Sequence, residues 1–189
     1  LIGTLVGLNN TDVVELLAAC GYDWLFIDAE HGPFMPGDAG PLLQAAGDCP
    51  CLVRVPYAEA TCIKKALDVG AHGVIVPQVH DASQAATMVA AAKYSPAGQR
   101  GVGLGRAHTY GRDFEGYLQR ANTDTVVVLQ AESRQAIDNI AAIAATDGVD
   151  AILIGPYDLS ASLGHIGDVT HPDVQAAIDA ASDGDFVLV

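Results

Sequence analysis

Side chains that could carry acid–base or metal chemistry stand directly after four short apolar runs of the sequence. The four groups are Asp28-Ala29-Glu30-His31, Arg54, Gln130-Ala131-Glu132 and Gly155-Pro156-Tyr157-Asp158. If the apolar runs are parallel strands of one barrel, their carboxyl ends meet on one face and these groups converge there. Each group alone is a weak signal, but four of them together are hard to attribute to coincidence.

Glu132 and Asp158 offer hard oxygen donors from neighbouring predicted strands. Two carboxylates, completed by water and substrate oxygens, suit octahedral Mg²⁺ or Mn²⁺. The alternative for each residue alone is a carboxylate that stabilises a helix N-terminus by accepting free backbone N–H groups. Taken together, the pair favours a metal site.

His31 and Arg54 are the candidates for proton transfer and anion recognition. A histidine beside carboxylates can act as a base near neutral pH, although it can equally cap a loop. An arginine at a strand end is costly to bury without an anionic partner. That partner is either a substrate carboxylate or enolate, or one of the neighbours Asp28 and Glu30, and the sequence leaves both open.

Asp68 lies at the end of a predicted helix, where a carboxylate opposes the helix dipole. The unfavourable placement hints at a use such as orienting His31, but a solvated surface aspartate is equally plausible. The other histidines lack ligand-like spacing along the chain and are interpreted as ordinary: His72, His80, His108, His165 and His171.

The elements that must position these groups are short apolar strands separated by amphipathic helices. Continuously apolar runs predict strands buried on both faces, as in a parallel sheet, at 5–8, 24–27, 52–55, 74–76, 126–129, 151–154 and 186–189. Residues 100–103 are a candidate for one more strand, which would give the eight of a closed barrel. Helical spacing appears at 12–20, 58–69, from 81 onward, at 136–145 and at 172–182.

Strand–helix alternation predicts an α/β fold, and we expect residues 1–189 to form a single (β/α)-barrel domain. A doubly wound open sheet is the competitor, weakened because no GxGxxG follows the first strand. The close spacing of the last helix and the last apolar run predicts a missing segment near 182–183. We also expect a C-terminal helix to be missing.

Composition excludes several classes of partner. A formal net charge of −14 repels nucleic acid and anionic membrane surfaces. No apolar run approaches the roughly 20 residues that span a bilayer. The four cysteines include no CxxC pair, which favours free thiols in a reducing, cytoplasmic setting.

Four stretches together resemble the class II pyruvate aldolases of the HpcH/HpaI family, which include 2-dehydro-3-deoxyglucarate and 4-hydroxy-2-oxoheptanedioate aldolases. The stretches are Gly21-Tyr22-Asp23-Trp24-Leu25-Phe26-Ile27-Asp28-Ala29-Glu30-His31, Leu67-Asp68-Val69-Gly70-Ala71, Ser95-Pro96-Ala97-Gly98-Gln99-Arg100-Gly101-Val102-Gly103 and Ile154-Gly155-Pro156-Tyr157-Asp158-Leu159-Ser160. They follow the family's order over nearly the whole chain, and the combination is far more specific than any one motif.

The resemblance implies a (β/α)8 TIM barrel of the phosphoenolpyruvate/pyruvate-domain type and roles for individual residues. Glu132 and Asp158 match the ligands of a divalent cation, which would be Mg²⁺, Mn²⁺ or Co²⁺. His31 matches the catalytic base, Asp68 its partner, and Arg54 an arginine near the pyruvate oxygens. Substrate-binding positions are implied at Arg54, Gln130, Gly155, Pro156, Tyr157 and Asp158.

The implied activity is the cleavage of 4-hydroxy-2-oxo acids to pyruvate and an aldehyde, or the reverse reaction that forms them. The implied assembly is a cytoplasmic homohexamer. Two alternatives stay open: another metal-enolate C–C lyase or hydrolase on a 2-oxo acid, and a non-catalytic barrel that binds a carboxylate ligand. The identity of the aldehyde is open as well.

Overall fold

The computed structural model describes residues 1–182, with side chains through Ala181. Its centre is a sheet of six parallel strands in the order β1-β2-β3-β4-β5-β6. The strands are β1 Gly3–Val6, β2 Trp24–Asp28, β3 Cys51–Arg54, β4 Gly73–Val76, β5 Val126–Ala131 and β6 Ala151–Ile154. Because each strand pairs with the next along the chain, the sheet winds in one direction, as in a barrel and unlike a doubly wound sheet.

Nine helices connect the described strands or follow them: α1 Thr11–Ala19, α2 Gly40–Ala45, α3 Ala60–Asp68, α4 Ala82–Ala92, α5 Phe114–Asp124, α6 Arg134–Asp138, α7 Ile140–Ala144, α8 Pro156–Ser162 and α9 Pro172–Ser182. Short 3-10 turns lie at Pro36–Ala39 and Arg106–Gly111. Side chains cap three helices, because Asn10, Asp81 and Ser133 each accept a backbone N–H from the first turn that follows.

The sheet is curled into a half-barrel, and its two faces have different surroundings. The helix-covered face belongs to the main core, in which Leu25, Ile27 and Leu129 are completely buried. The concave face forms a second apolar cluster of Phe26, Ile75, Val128 and Leu153. A cavity of about 850 Å³, lined by apolar side chains of the strands, lies against this concave face.

The predicted strand at 100–103 is wrong. Arg100 lies in a loop, and β4 pairs directly with β5. The backbone N–H of Arg100 is donated to the carbonyl of Lys93 just after α4, and its side chain is held by Asp68 and Tyr117. The backbone N–H of Arg100, which in a strand would pair with a neighbouring strand, therefore holds this loop in place.

The other predicted strands are confirmed within a few residues at their ends; the first lies two residues earlier than predicted. The predicted strand at 186–189 and the missing segment near 182–183 lie outside the described residues. Among the helices of residues 1–182, none combines the length and the apolar character needed to cross a membrane.

Candidate active site

Arg54 lies where the carboxyl ends of β2 and β3 meet. It stands opposite Asp28 in the strand register, and its Nε and Nη2 donate to Asp28 Oδ1 and Oδ2 at 2.9 and 2.7 Å. Its Nε also lies 3.2 Å from Glu30 Oε2. The ion pair that the sequence left as one option for Arg54 is therefore present, with both neighbouring carboxylates.

The remaining donor group of Arg54 connects this ion pair to β5. Nη1 donates to Gln130 Oε1 at 3.3 Å, and Gln130 Nε2 donates to Glu132 Oε2. A continuous chain of side-chain hydrogen bonds thus runs from Asp28 through Arg54 and Gln130 to Glu132. It orients the Glu132 carboxylate from one side.

Gln78, which follows β4, orients the same carboxylate from the other side. Its backbone N–H donates to Glu132 Oε1 at 2.8 Å. Gln78 has φ of 56°, a left-handed conformation that residues other than glycine adopt rarely. The sequence interpretation missed this residue, although its place just after a strand's carboxyl end was a signal that could have found it.

Burial and the neighbouring groups shift the pKa of the Glu132 carboxylate in opposite directions. Glu132 is only 2% exposed, and burial raises its pKa, whereas the hydrogen bonds from Gln130 and Gln78 act to lower it. The negative charge of Asp158 raises that pKa further, which places the two carboxylates within electrostatic reach of each other. A divalent cation fits this pair, since it would compensate two negative charges that otherwise oppose each other.

Asp158 enters the site from the first turn of α8, which follows β6 after Gly155. A Cβ atom at Gly155 would lie 2.6 Å from Glu132 Oε2 and 3.0 Å from Gln130 Nε2, so the absence of a side chain there makes room for both. Pro156 occupies the first helical turn, and Tyr157 is 68% exposed. Of the predicted substrate-binding positions in this segment, Gly155 therefore lies beside the Glu132 carboxylate.

Asp28 and Glu30, the two carboxylates at the end of β2, have pKa values that are shifted in opposite directions. Burial acts to raise the pKa of Asp28, but the hydrogen bond and charge of Arg54 outweigh it and leave this pKa below its usual value. The pKa of Glu30 is raised, chiefly by burial and also by the charge of Glu132, although Arg54 opposes the shift. Asp28 is thus the firm counter-ion of Arg54, and Glu30 is the carboxylate that more readily takes a proton.

His31 lies at the open edge of this site. Its side chain is 68% exposed, its Nε2 lies 3.9 Å from Glu30 Oε2, and its backbone N–H donates to Asp28 Oδ1 at 3.3 Å. The loop is tight enough that a Cβ at Gly32 would collide with the carbonyl of Asp28. The backbone thus holds His31 beside the carboxylates while leaving its ring accessible.

Asp68 is placed with a different partner from the one that the sequence suggested. Its Oδ1 accepts a hydrogen bond at 3.0 Å from Nη2 of Arg100, whose side chain is almost completely buried. Arg100 also lies over the ring of Tyr94. Within the described chain, Asp68 contacts the loop after α4. The contacts of His31, by contrast, are with residues at the end of β2.

A curled parallel sheet with polar and charged side chains at the C-terminal edge of its strands is the arrangement typical of barrel-type enzymes. The sequence profile of the HpcH/HpaI aldolase/citrate lyase family matches residues 1–184, and the chain belongs to this family. It is accordingly a carbon–carbon lyase of the class II aldolase type. Members of the family generally depend on a divalent metal.

Named relatives agree with this membership. The chain is 46% identical over 180 residues to a hydroxypyruvate/pyruvate aldolase of Chromohalobacter salexigens, covering 93% of this chain and 70% of the relative. It is 45% identical over 180 residues to a 4-hydroxy-2-oxovalerate aldolase of Rhodococcus jostii, covering 94% and 69%. The solved structure of a family member from Burkholderia cenocepacia J2315 superposes with a TM-score of 0.90 at 40% identity, covering 95% of this chain and 73% of that one.

Proposed function

We propose that this chain catalyses the reversible aldol cleavage of 4-hydroxy-2-oxo acids to pyruvate and an aldehyde. The observation that carries the proposal is the buried Glu132 carboxylate, held from two sides by Gln130 and Gln78 and lying beside Gly155, from which α8 leads to Asp158. The names of the Chromohalobacter and Rhodococcus relatives support a 2-oxo acid substrate.

Glu132 and Asp158 would hold the cation, which we propose to be Mg²⁺, Mn²⁺ or Co²⁺ because both donors are hard oxygens. When bound, a divalent cation supplies the positive charge that stabilises the enolate left when the substrate's C3–C4 bond breaks. Gln130 and Arg54, joined by their hydrogen bond, present N–H donors on the β3–β5 side of the site. The free N–H groups of Tyr157 and Asp158, at the start of α8, are candidates for the substrate carboxylate.

His31 is the proposed base. Cleavage requires removal of the proton from the C4 hydroxyl, and an exposed imidazole beside the Glu30 carboxylate is suited to take it. Returning a proton to C3 of the enolate then completes pyruvate. Asp68 stays a proposed positioning residue, and within the described chain it acts on the loop that carries Arg100.

The proposal is tested by incubating purified protein with a series of 4-hydroxy-2-oxo acids and coupling pyruvate release to lactate dehydrogenase. Activity should appear with Mg²⁺, Mn²⁺ or Co²⁺ and vanish in excess EDTA. Full activity in EDTA would refute the metal-dependent aldolase. Pyruvate binding without turnover and without any metal requirement would instead support the non-catalytic carboxylate-binding barrel.

We further propose that the six described strands belong to a single (β/α)8 barrel domain. The apolar concave face and the likeness to the Burkholderia structure support this, because such a face is covered when a barrel closes. A cytoplasmic homohexamer is the proposed state in the cell. Free thiols at all four cysteines agree with a reducing compartment, and sedimentation of the purified protein tests the assembly.

A further inference from the structure

A second group of potential metal ligands lies in the loop between α8 and α9 and in the first turn of α9. His165, His171 and Asp173 bring their ligand atoms within 4.8 Å of one another. His165 Nε2 lies 3.2 Å and His171 Nδ1 lies 3.8 Å from the same oxygen, Oδ2 of Asp173. The two imidazole rings stack with centroids 3.4 Å apart.

These separations are close to the edges of a metal coordination polyhedron. Tetrahedral ligands about 2.0–2.1 Å from a Zn²⁺ ion lie about 3.3–3.4 Å from one another. The carboxylate oxygen already faces two imidazole nitrogens at 3.2 and 3.8 Å, and the stacked rings would rotate apart so that both ring planes contain the ion. Two histidines and one aspartate also leave a coordination position for water.

The loop structure brings the ligands together. The backbone N–H of Asp173 donates to His171 Nδ1, and a metal ion bound at this nitrogen would replace that hydrogen bond. Ser160 anchors the loop, because its carbonyl accepts the N–H of His165 and its Oγ accepts the N–H of Gly167. His171 in turn accepts two backbone N–H groups at the start of α9. The ligands are therefore held close together before any ion arrives.

We propose that His165, His171 and Asp173 form a second metal site, which takes Zn²⁺ or a neighbouring late first-row cation such as Ni²⁺ or Cu²⁺. Imidazole nitrogens prefer these ions, whereas Mg²⁺ and Mn²⁺ prefer carboxylate oxygens such as those of Glu132 and Asp158. The proposal does not rest on the aldolase activity. His165 and His171 were interpreted as ordinary from the sequence, since a separation of six residues has no ligand signature until the loop folds back.

The test is calorimetric titration of metal-stripped protein with Zn²⁺ in the background of Glu132→Gln, which removes a ligand of the other site. This protein should still bind about one Zn²⁺ per chain with micromolar or tighter affinity. Adding Asp173→Asn should weaken binding roughly 10- to 100-fold or more, since even the hydrogen-bonding partners of metal ligands have effects of this size. The change keeps the shape of the side chain, and circular dichroism reports that the fold is retained.

Asp179→Asn in the same background is the matched control. It removes the same charge from an exposed position on α9, about 9 Å further along the helix axis. It should leave Zn²⁺ affinity unchanged, and His165→Ala should reproduce the loss seen with Asp173→Asn. Absence of Zn²⁺ binding in the Glu132→Gln protein, or equal affinities for the Asp173→Asn and Asp179→Asn proteins, would overturn the proposal.

Discussion

At the scale of single residues, Arg54 contributes both to the fold and to the proposed site. Its guanidinium forms a two-point pair with Asp28 and still donates to Gln130 on β5. A planar fork of donors can hold these directions at once, whereas an ammonium group is a point charge. The ion pair and the recognition role are therefore compatible at this position.

We expect Arg54→Lys to lower kcat/KM by about 10²-fold, the usual effect of losing one oriented donor in an active site. The lysine keeps a positive charge for Asp28, so the protein should stay folded. Steady-state kinetics and a melting curve on the same preparation check this. Unchanged kinetics with a large fall in melting temperature would assign Arg54 to the structural ion pair alone.

His31 is the residue whose removal should separate catalysis from metal binding. It is exposed and touches the carboxylate network only at its edge, 3.9 Å from Glu30. His31→Ala should therefore cut the cleavage rate by roughly 10²–10⁴-fold, the size of a general-base contribution. Metal affinity measured by calorimetry should stay as in the wild type. Wild-type cleavage by the metal-loaded variant would show that the base lies elsewhere, with Glu30 the first alternative.

At the scale of elements, the strand-to-helix turn after β6 depends on one small residue. Gly155 lies between the end of β6 and α8, and its missing side chain leaves space for Glu132 and Gln130. A Cβ atom there would meet Glu132 at Oε2 and Cβ and Gln130 at Nε2, and the polar ends of both side chains are held by hydrogen bonds. A methyl group at this turn must therefore displace the proposed metal ligand.

We expect Gly155→Ala to weaken metal binding and to lower activity while the protein remains folded. Gly37→Ala is the control, because a Cβ atom at Gly37 meets nothing within 4 Å and this glycine does not have a left-handed backbone. Metal affinity and turnover of both variants are the measurements. Equal metal affinity and turnover for Gly155→Ala and Gly37→Ala would mean that Glu132 can move without loss of function.

At the scale of the whole molecule, the protonation of Glu132, a proposed metal ligand, affects the stability of the fold. Burial raises the pKa of Glu132 in the folded chain, so the unfolded chain loses this proton at a lower pH. The free energy of unfolding therefore falls as pH rises from the ordinary glutamate pKa to the raised value. Asp28 acts in the opposite direction, since its lowered pKa stabilises the fold above its ordinary value and this stabilisation is lost in acid.

We expect Glu132→Gln to make the metal-free protein more stable relative to wild type as pH rises above the ordinary glutamate pKa. Asp28 is common to both proteins, and Glu30, whose pKa the charge of Glu132 raises, adds to the difference in the same direction. Denaturant unfolding in EDTA at several pH values measures it. A difference in stability that does not change with pH would contradict a raised pKa. The variant should also have lost activity and metal binding at the site of Glu132 and Asp158.

The sequence predicted the strands and helices better than it predicted the contacts between distant residues. The alternation of strands and helices and the polar strand ends both follow from patterns only a few residues long. The family resemblance was visible for the same reason, since its motifs are contiguous. The strand predicted at 100–103 failed because a side-chain anchor on Arg100 is formed with residues far away in the chain.

Local sequence patterns were enough to predict a parallel α/β fold with Arg54, Glu132 and Asp158 just after its strands, because apolar periodicity and strand-end position are local properties. The tertiary structure was needed to show that β4 lies beside β5, that the backbone of Gln78 holds Glu132, and that Asp68 pairs with Arg100. It also showed that His165 and His171 face one carboxylate. These contacts depend on strand register and on how loops fold back, and their energies come from groups that the chain brings together only when the whole sheet has formed.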